Sequence, residues 1–447
     1  MLKLFLWLRY LHKKKIVFLS IAAIGLSTAV LMVVASLFSG FIKVFEQSAV
    51  EAIGDVVLAP PMKFGKCELL IKKLEETKAV EAATATIVTQ GLLRTGNGNV
   101  RAVQIWGIEP ARRARVTGFK RSLIKQSEMA REPSFEAAGF PEKTGGYVGI
   151  GVIAEPDEET DEYDFAAIRE TIGQEAVLTT GTVTEAEGEG TKAEIKRKTI
   201  KFTITDIVFT GVYDLDERFV YLPKDELQRI LYPDESEEAA DQIEIKLADG
   251  MRAEDALSSI ESVWQKFARG QLGWNVYLIK QTTITTAKQM QSQYVAELRK
   301  QMGVLLVIFG VVSFSVVLLI LCIFYMIVIT KQKDVAIIKS CGATSSSVGW
   351  IFAGFGVCIG AVGAAAGVIL GCIITKNINT IEEWIRIIFG LKLWKSSVYM
   401  FSKIPNEIDW GWVLPIVLFA IAAAGLGSLI PAITAAWTKP VEILRYE

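Results

Sequence analysis

Four stretches of this chain contain no Asp, Glu, Lys, Arg or His: residues 16–42, 304–329, 348–374 and 410–437, each 26 to 28 residues long. A helix needs about 20 apolar residues to cross a bilayer, and it is one of the few structures that satisfies its own backbone there. The chain therefore reads as a membrane protein with four transmembrane α-helices. At ~1.5 Å per residue such spans measure about 40 Å against ~30 Å of hydrocarbon, so they tilt or project. The remainder has the composition of a soluble domain. The net charge of −1 offers no field for nucleic acid.

The rare residues exclude whole classes of chemistry. His12 is the only histidine and stands beside Lys13, Lys14 and Lys15, so no His-based zinc site or Ser-His-Asp triad can form in the hydrophilic region. Cys322, Cys358 and Cys372 fall within spans, Cys341 falls between two of them, and Cys67 alone stands in the hydrophilic region, which leaves that region no internal disulfide. No metal site and no cofactor is expected.

The first span is too long for a signal-peptide core and no A-x-A site closes it, so it reads as retained. Basic residues are nearly balanced between the two sides. The first span decides the orientation, with Lys3, Arg9 and Lys13–Lys15 before it and only Lys43 in the twenty residues after it. Both termini are thus expected in the cytoplasm. The resulting order is an amphipathic N-terminus (1–15), a first span (16–42), a large extracytoplasmic domain (43–303), a second span (304–329) and a cytoplasmic connection (330–347). A third span (348–374), an outer loop (375–409), a fourth span (410–437) and a cytoplasmic tail (438–447) complete it.

Helical spacing continues past both lips of the large domain, through Phe41, Phe45, Ala49 and Ile53 on one side and Met290, Tyr294 and Leu298 on the other, which predicts two stalk helices leaving the membrane side by side. Within the domain, strands are expected at 56–58, 85–89, 102–106, 201–208, 218–222, 242–247 and 275–279, and helices at 67–77, 225–231 and 253–267. This is an α+β pattern, read as two lobes split by the polar region 110–200. The acidic run 155–162 lacks EF-hand spacing and reads as a surface loop. Asp214, Asp216 and Glu217 read as a polar hairpin turn rather than a catalytic carboxylate pair.

Between the second and third spans, Val335, Ile338 and Cys341 recur at helical spacing beside Lys333, Asp334 and Lys339, with Gly342 placed to end a short helix and Ser345–Ser347 placed to cap the next. Such a helix suits either a docking protein or the lipid headgroups. In the third span Gly356 and Gly360, then Gly363, Gly367 and Gly371, recur every fourth position and permit close helix packing, within the chain or against another subunit. Pro415 and Pro431 predict kinks in the fourth. No Walker A sequence is present, and no span carries an ionisable group for ion coupling. If the protein does work, the energy arrives through a partner.

Several segments carry a family resemblance. They are 4–11 (LFLWLRYL), 105–110 (IWGIEP), 209–213 (FTGVY) with 219–223 (FVYLP), the run from Lys331 to Gly342 leading into the Gly-rich span, 397–405, and the close of the chain from Pro431. Together they resemble the FtsX-type ABC permeases, most closely the lipoprotein-releasing LolC/LolE branch. The polar region 110–200 matches poorly. The resemblance implies a periplasmic outer domain, as in the macrolide-exporter MacB, and an inner-membrane permease subunit without an ATPase site of its own. It further implies pairing with a second copy or a paralogue and with a LolD-like cytoplasmic ABC ATPase, which binds the ATP and Mg. Lys331, Asp334, Ile337, Lys339 and Gly342 would then form the coupling contact with that ATPase. The cargo would be lipoproteins extracted from the outer leaflet and passed to a periplasmic carrier. Related alternatives are an efflux permease of the macrolide-exporter type and an FtsX-like scaffold that activates a cell-wall hydrolase.

Overall fold

The computed structural model describes residues 15–95, 98–136, 144–157, 160–184, 194–233, 238–395, 401 and 403–438. The expected amphipathic N-terminus up to residue 14, Glu158 and Glu159 of the acidic run, most of segment 397–402 and the tail from 439 lie outside the described residues. The chain divides into a helical unit (Met1–Lys43, Tyr294–Trp384 and Ile404–Glu447) and an α+β unit (Val44–Gln293 and Ile385–Lys403).

Four helices, Lys15–Ile53, Ser292–Thr330, Ser345–Lys376 and Trp410–Trp437, are long and apolar enough to cross a membrane. The first and second run well beyond their charge-free stretches, to Ile53 and from Ser292. Pro415 and Pro431 both lie inside one continuous fourth helix.

Inside the helical unit the glycine stripe divides its work between two neighbours. Gly356 and Gly360 face the fourth helix, where an added Cβ would stand 2.1 Å from Ser428 Oγ and 2.7 Å from Ala424 Cβ respectively. Gly363, Gly367 and Gly371 face the first helix, where a Cβ would stand 2.8 Å from Ile24 Cβ, 2.6 Å from the Gly25 carbonyl oxygen and 2.9 Å from the Met32 sulfur. Lipid tails are as apolar as side chains, so helices associate through close van der Waals contact, and glycine lets backbones approach closest. The second helix joins through a hydroxyl–hydroxyl bond, Ser27 to Ser313 at 2.6 Å. It also approaches Gly427 of the fourth, whose Cβ would stand 2.9 Å from the Val317 carbonyl.

The α+β unit holds nine strands among the described residues: β1 (Val56–Ala59), β2 (Val80–Arg94), β3 (Val100–Ile108), β4 (Gly145–Gly149), β5 (Glu175–Thr184), β6 (Glu194–Val208), β7 (Phe219–Pro223), β8 (Gln242–Leu247) and β9 (Thr283–Thr286). They run in the order β3-β7-β4-β6-β5-β2-β8-β1-β9, and β3 pairs again with β2. The extra pairing closes six strands, β2-β3-β7-β4-β6-β5, into a ring. The long strand β2 serves two lobes. Its first half, Val80–Thr86, pairs with β8, while its second half, from Ile87, pairs with β3 and, at Gly91–Arg94, also with β5. Each lobe has its own core. In the first, Trp264 and Phe267 of helix Ala253–Gln271 and Leu70, Ile71 and Leu74 of helix Cys67–Glu75 cover Val56, Leu58, Ile243 and Ile245. The second is filled by Ile87, Ile105, Leu178, Ile200, Phe202 and Val220.

Three expectations are corrected. The polar region 110–200 does not separate the lobes, because it supplies β4, β5 and the start of β6 to the ring of the second. Its strand β4, Gly-Gly-Tyr-Val-Gly, is buried throughout and passes so close to its neighbours that a Cβ on Gly145 would lie 1.8 Å from the Phe135 carbonyl oxygen. Segment 275–279 is not a strand. Asn275 accepts a hydrogen bond from the Leu278 amide at 2.9 Å and caps the helix Val276–Gln281, and the strand β9 follows it. The residues around Asp216 are not a hairpin turn. They form the helix Tyr213–Arg218 between strands that both pair with β4 and not with each other. Asp216 is buried, and its carboxylate accepts hydrogen bonds from Thr210 N at 2.7 Å, Thr210 Oγ1 at 2.8 Å and Gly211 N at 3.0 Å. Burial pushes its pKa up to about 7 against the pull of those donors.

The end of the first helix is gripped by both lobes. Gly54 terminates it at φ +80°, and β1 follows at once and pairs with β9. Arg113, on the short helix Pro110–Val116, is 1% exposed. Its guanidinium donates to Glu244 Oε2 of β8 at 2.6 Å and to the Ala52 carbonyl at 2.7 Å, and its centre stacks 4.7 Å from the Trp106 ring. The Gly118 amide donates to the Glu51 carbonyl at 3.0 Å. Burial raises the pKa of Glu244, and Arg113 opposes that shift.

Replacing Arg113→Leu leaves the Glu244 carboxyl buried without its cationic partner, a loss of about 3–5 kcal/mol. Thermal unfolding of the detergent-solubilised chain should show a lowered midpoint, partly restored by adding Glu244→Gln; an unchanged midpoint contradicts this role. Gly367→Ala should loosen the contact between the first and third helices by about 1–3 kcal/mol, as overpacking does. Gly310→Ala, with open space around it, is the control that should change little.

Candidate functional site

Among the described residues no group of His, Cys, Asp and Glu is arranged to hold a metal ion. The segment that stands out is the connection between the second and third membrane helices. The second helix ends at Thr330. Lys331 leaves helical geometry, and its ammonium pairs with Asp334 at 2.5 Å one turn into the next helix, Gln332–Ser340. That helix ends in a Schellman motif, in which the Gly342 amide donates to the Lys339 carbonyl at 3.0 Å and the Ala343 amide to the Ile338 carbonyl at 3.3 Å. The motif needs a left-handed residue, and Gly342 supplies it at φ +96°. The third helix then starts from Thr344, whose hydroxyl accepts from the Ser347 amide at 3.3 Å, so the cap is Thr344 and not the serines after it.

This short helix is held firmly on one side. Val335 is buried in the core that also holds Val328, Val348 and Phe352, and Ala336 next to it is buried as well. Lys339 Nζ donates to the carbonyls of Ala436 at 2.9 Å and Thr438 at 2.8 Å, at the C-terminal end of the fourth helix. A cation there satisfies carbonyls that lack an intrahelical partner and lies at the negative end of the helix dipole. Of the three residues at helical spacing, Val335 is buried, Ile338 is half-buried and Cys341 is exposed. On the other side Ile337 is 54% exposed, and the Asp334 side chain is 46% exposed.

Of the five residues expected to meet a partner, Ile337 and Asp334 thus face outward, Lys331 positions Asp334, Gly342 closes the helix, and Lys339 ties it to the fourth helix. The chemistry on offer is an apolar knob beside a charged pair on a rigid support. It suits docking. The tie through Lys339 was not legible from the sequence, since its two acceptors are backbone carbonyls almost a hundred residues away. Arg113 was missed too, because three arginines in Ala-Arg-Arg-Ala-Arg look like a solvated face.

Residues 306–440, which include this connection, match the FtsX-like permease C-terminal family. The lipoprotein-releasing system transmembrane protein LolC of Neisseria meningitidis serogroup B is 27% identical over 463 aligned positions, spanning 100% of this chain and 99% of that protein. The corresponding LolE of Haemophilus influenzae is 24% identical, over 95% of this chain and 93% of its own length. Among solved structures, the periplasmic region of MacB from Actinobacillus actinomycetemcomitans aligns with a TM-score of 0.33 at 13% identity, covering 55% of this chain and 95% of that one. The chain carries an FtsX-like permease region and, along almost its whole length, is similar to LolC and LolE.

Proposed function

We propose that the protein is the transmembrane subunit of an ABC transporter in the inner membrane, with its large domain in the periplasm and both termini in the cytoplasm. A partner ATPase hydrolyses ATP, and the permease, paired with a second copy or a paralogue, uses that work to release lipoproteins from the outer leaflet. The observation that carries this reading is the helix Gln332–Ser340: an exposed Ile337 and Asp334 on a helix whose opposite side is packed into the membrane core and tied by Lys339 to the fourth helix. A push on such a helix moves the membrane helices with it, since packed cores shift as bodies rather than deform. The similarity to proteins named for lipoprotein release supports the cargo.

The last turns of the first helix, from Val44, belong to the α+β unit and are held there by Arg113, by Gly118 and by the β1–β9 pairing.

Two experiments test the reading. Ile337→Asp and Asp334→Lys should each lower ATPase activity stimulated by the permease about tenfold or more, equivalent to at least ~1.4 kcal/mol of docking energy, with expression unchanged; full stimulation in both variants removes the coupling assignment. Depleting the protein in its host should strand outer-membrane lipoproteins in the inner membrane, as seen by fractionation. Normal sorting with altered drug tolerance would instead identify an efflux permease.

A further inference from the structure

The connection between the third and fourth membrane helices, read from sequence as a loop, contains a helix, Ile378–Phe389, with no buried residue. Ile381, Trp384, Ile387, Ile388 and Phe389 are between 37% and 71% exposed. At 100° per residue they gather with Ile378 and Ile385 on one side, while Asn379, Glu382, Glu383 and Arg386 occupy the other. Leu391 and Leu393 prolong the exposed apolar surface beyond Gly390. A contiguous apolar patch of this kind is not left in water by a folded protein.

We infer that this helix lies in the plane of the membrane–water interface, with its apolar side immersed in the leaflet at which the third helix ends. The occupant of the apolar side is the bilayer itself, and the position of the helix says so. The third helix closes at Lys376, with the Asn377 side chain donating back to the Ile373 carbonyl at 2.8 Å. The new helix starts at the next residue, and the Ile381 amide already donates to the Asn377 carbonyl at 2.9 Å. No linker carries it away from the lipid surface.

Its polar side is engaged by the chain. Asn379 exchanges two hydrogen bonds with the backbone of Ile404, at 3.0 and 2.9 Å, on the segment that returns to the fourth helix. That helix opens with the exposed Trp410 and Trp412, and Trp384 lies on the apolar side of the interfacial one. Tryptophan concentrates at membrane interfaces because its ring is apolar and its N–H is polar. With few charges on the helix, attachment rests on buried apolar area rather than on anionic lipid.

The test uses the full chain with Cys67, Cys322, Cys341, Cys358 and Cys372 replaced by alanine, reconstituted in phosphatidylcholine vesicles. Single nitroxide labels are attached at Ile387→Cys, Ile388→Cys and, as the polar-side control, Glu383→Cys. Relaxation by oxygen, which enters lipid, and by a nickel chelate, which stays in water, gives the depth of each label. The ratio of oxygen to nickel accessibility should be several-fold higher at 387 and 388 than at 383, and unchanged when anionic lipid is added. Equal ratios at all three positions, in a monodisperse preparation, would place the helix in water and overturn the inference. Labels at 387 and 388 shielded from both reagents would mean that protein covers this face, and a ratio that rises only with anionic lipid would mean adhesion to headgroups; either result overturns immersion.

Discussion

The buried pair between Arg113 and Glu244 is the constraint on which the α+β unit depends. Two charges removed from water cost several kcal/mol each unless each finds a close partner. Glu244 lies in the lobe built on β8, and the Arg113 guanidinium rests on Trp106 of the other lobe while donating to Ala52 at the end of the first membrane helix. One side chain therefore ties two lobes and the end of a helix. A hydrophobic contact could hold the lobes together, but only a group with several directed donors fixes a helix end and a strand in one geometry.

The glycine stripe obeys a comparable logic in an environment where the hydrophobic effect no longer distinguishes protein from solvent. Close approach is what remains, and the third helix uses opposite halves of its length for it, Gly356 and Gly360 toward the fourth helix and Gly363, Gly367 and Gly371 toward the first. Whatever displaces the short helix Gln332–Ser340 acts directly on this assembly, because Val335 and Lys339 are bound into it.

Much of the helical unit was legible. Charge-free stretches announce spans because charge is costly in hydrocarbon, and Gly342 announces a helix end because the left-handed conformation excludes most other residues. Strand 242–247 and the helix read at 253–267, which runs on to Gln271, stood out through clear periodicity. The failures were equally physical. In the segment Asn-Val-Tyr-Leu-Ile, β-prone residues favoured a strand until the Asn275 cap and its helix prevailed. Strand β4 escaped notice because Gly-Gly-Tyr-Val-Gly has no alternation, its glycines being required by the nearness of Phe135, Phe202 and Asp216.

The sequence by itself determined that four helices cross a bilayer, that a mixed domain separates the first two, and that no catalytic triad or His-based metal site operates in that domain. These follow from composition and local periodicity, to which each residue contributes independently. Only the tertiary structure decided that β2 is shared between two lobes, that Lys339 faces inward to carbonyls of the fourth helix, and that Arg113 is a buried tie rather than a surface charge. Those outcomes depend on partners dozens to hundreds of residues away, and no local pattern encodes which distant carbonyl or carboxylate a cation will meet.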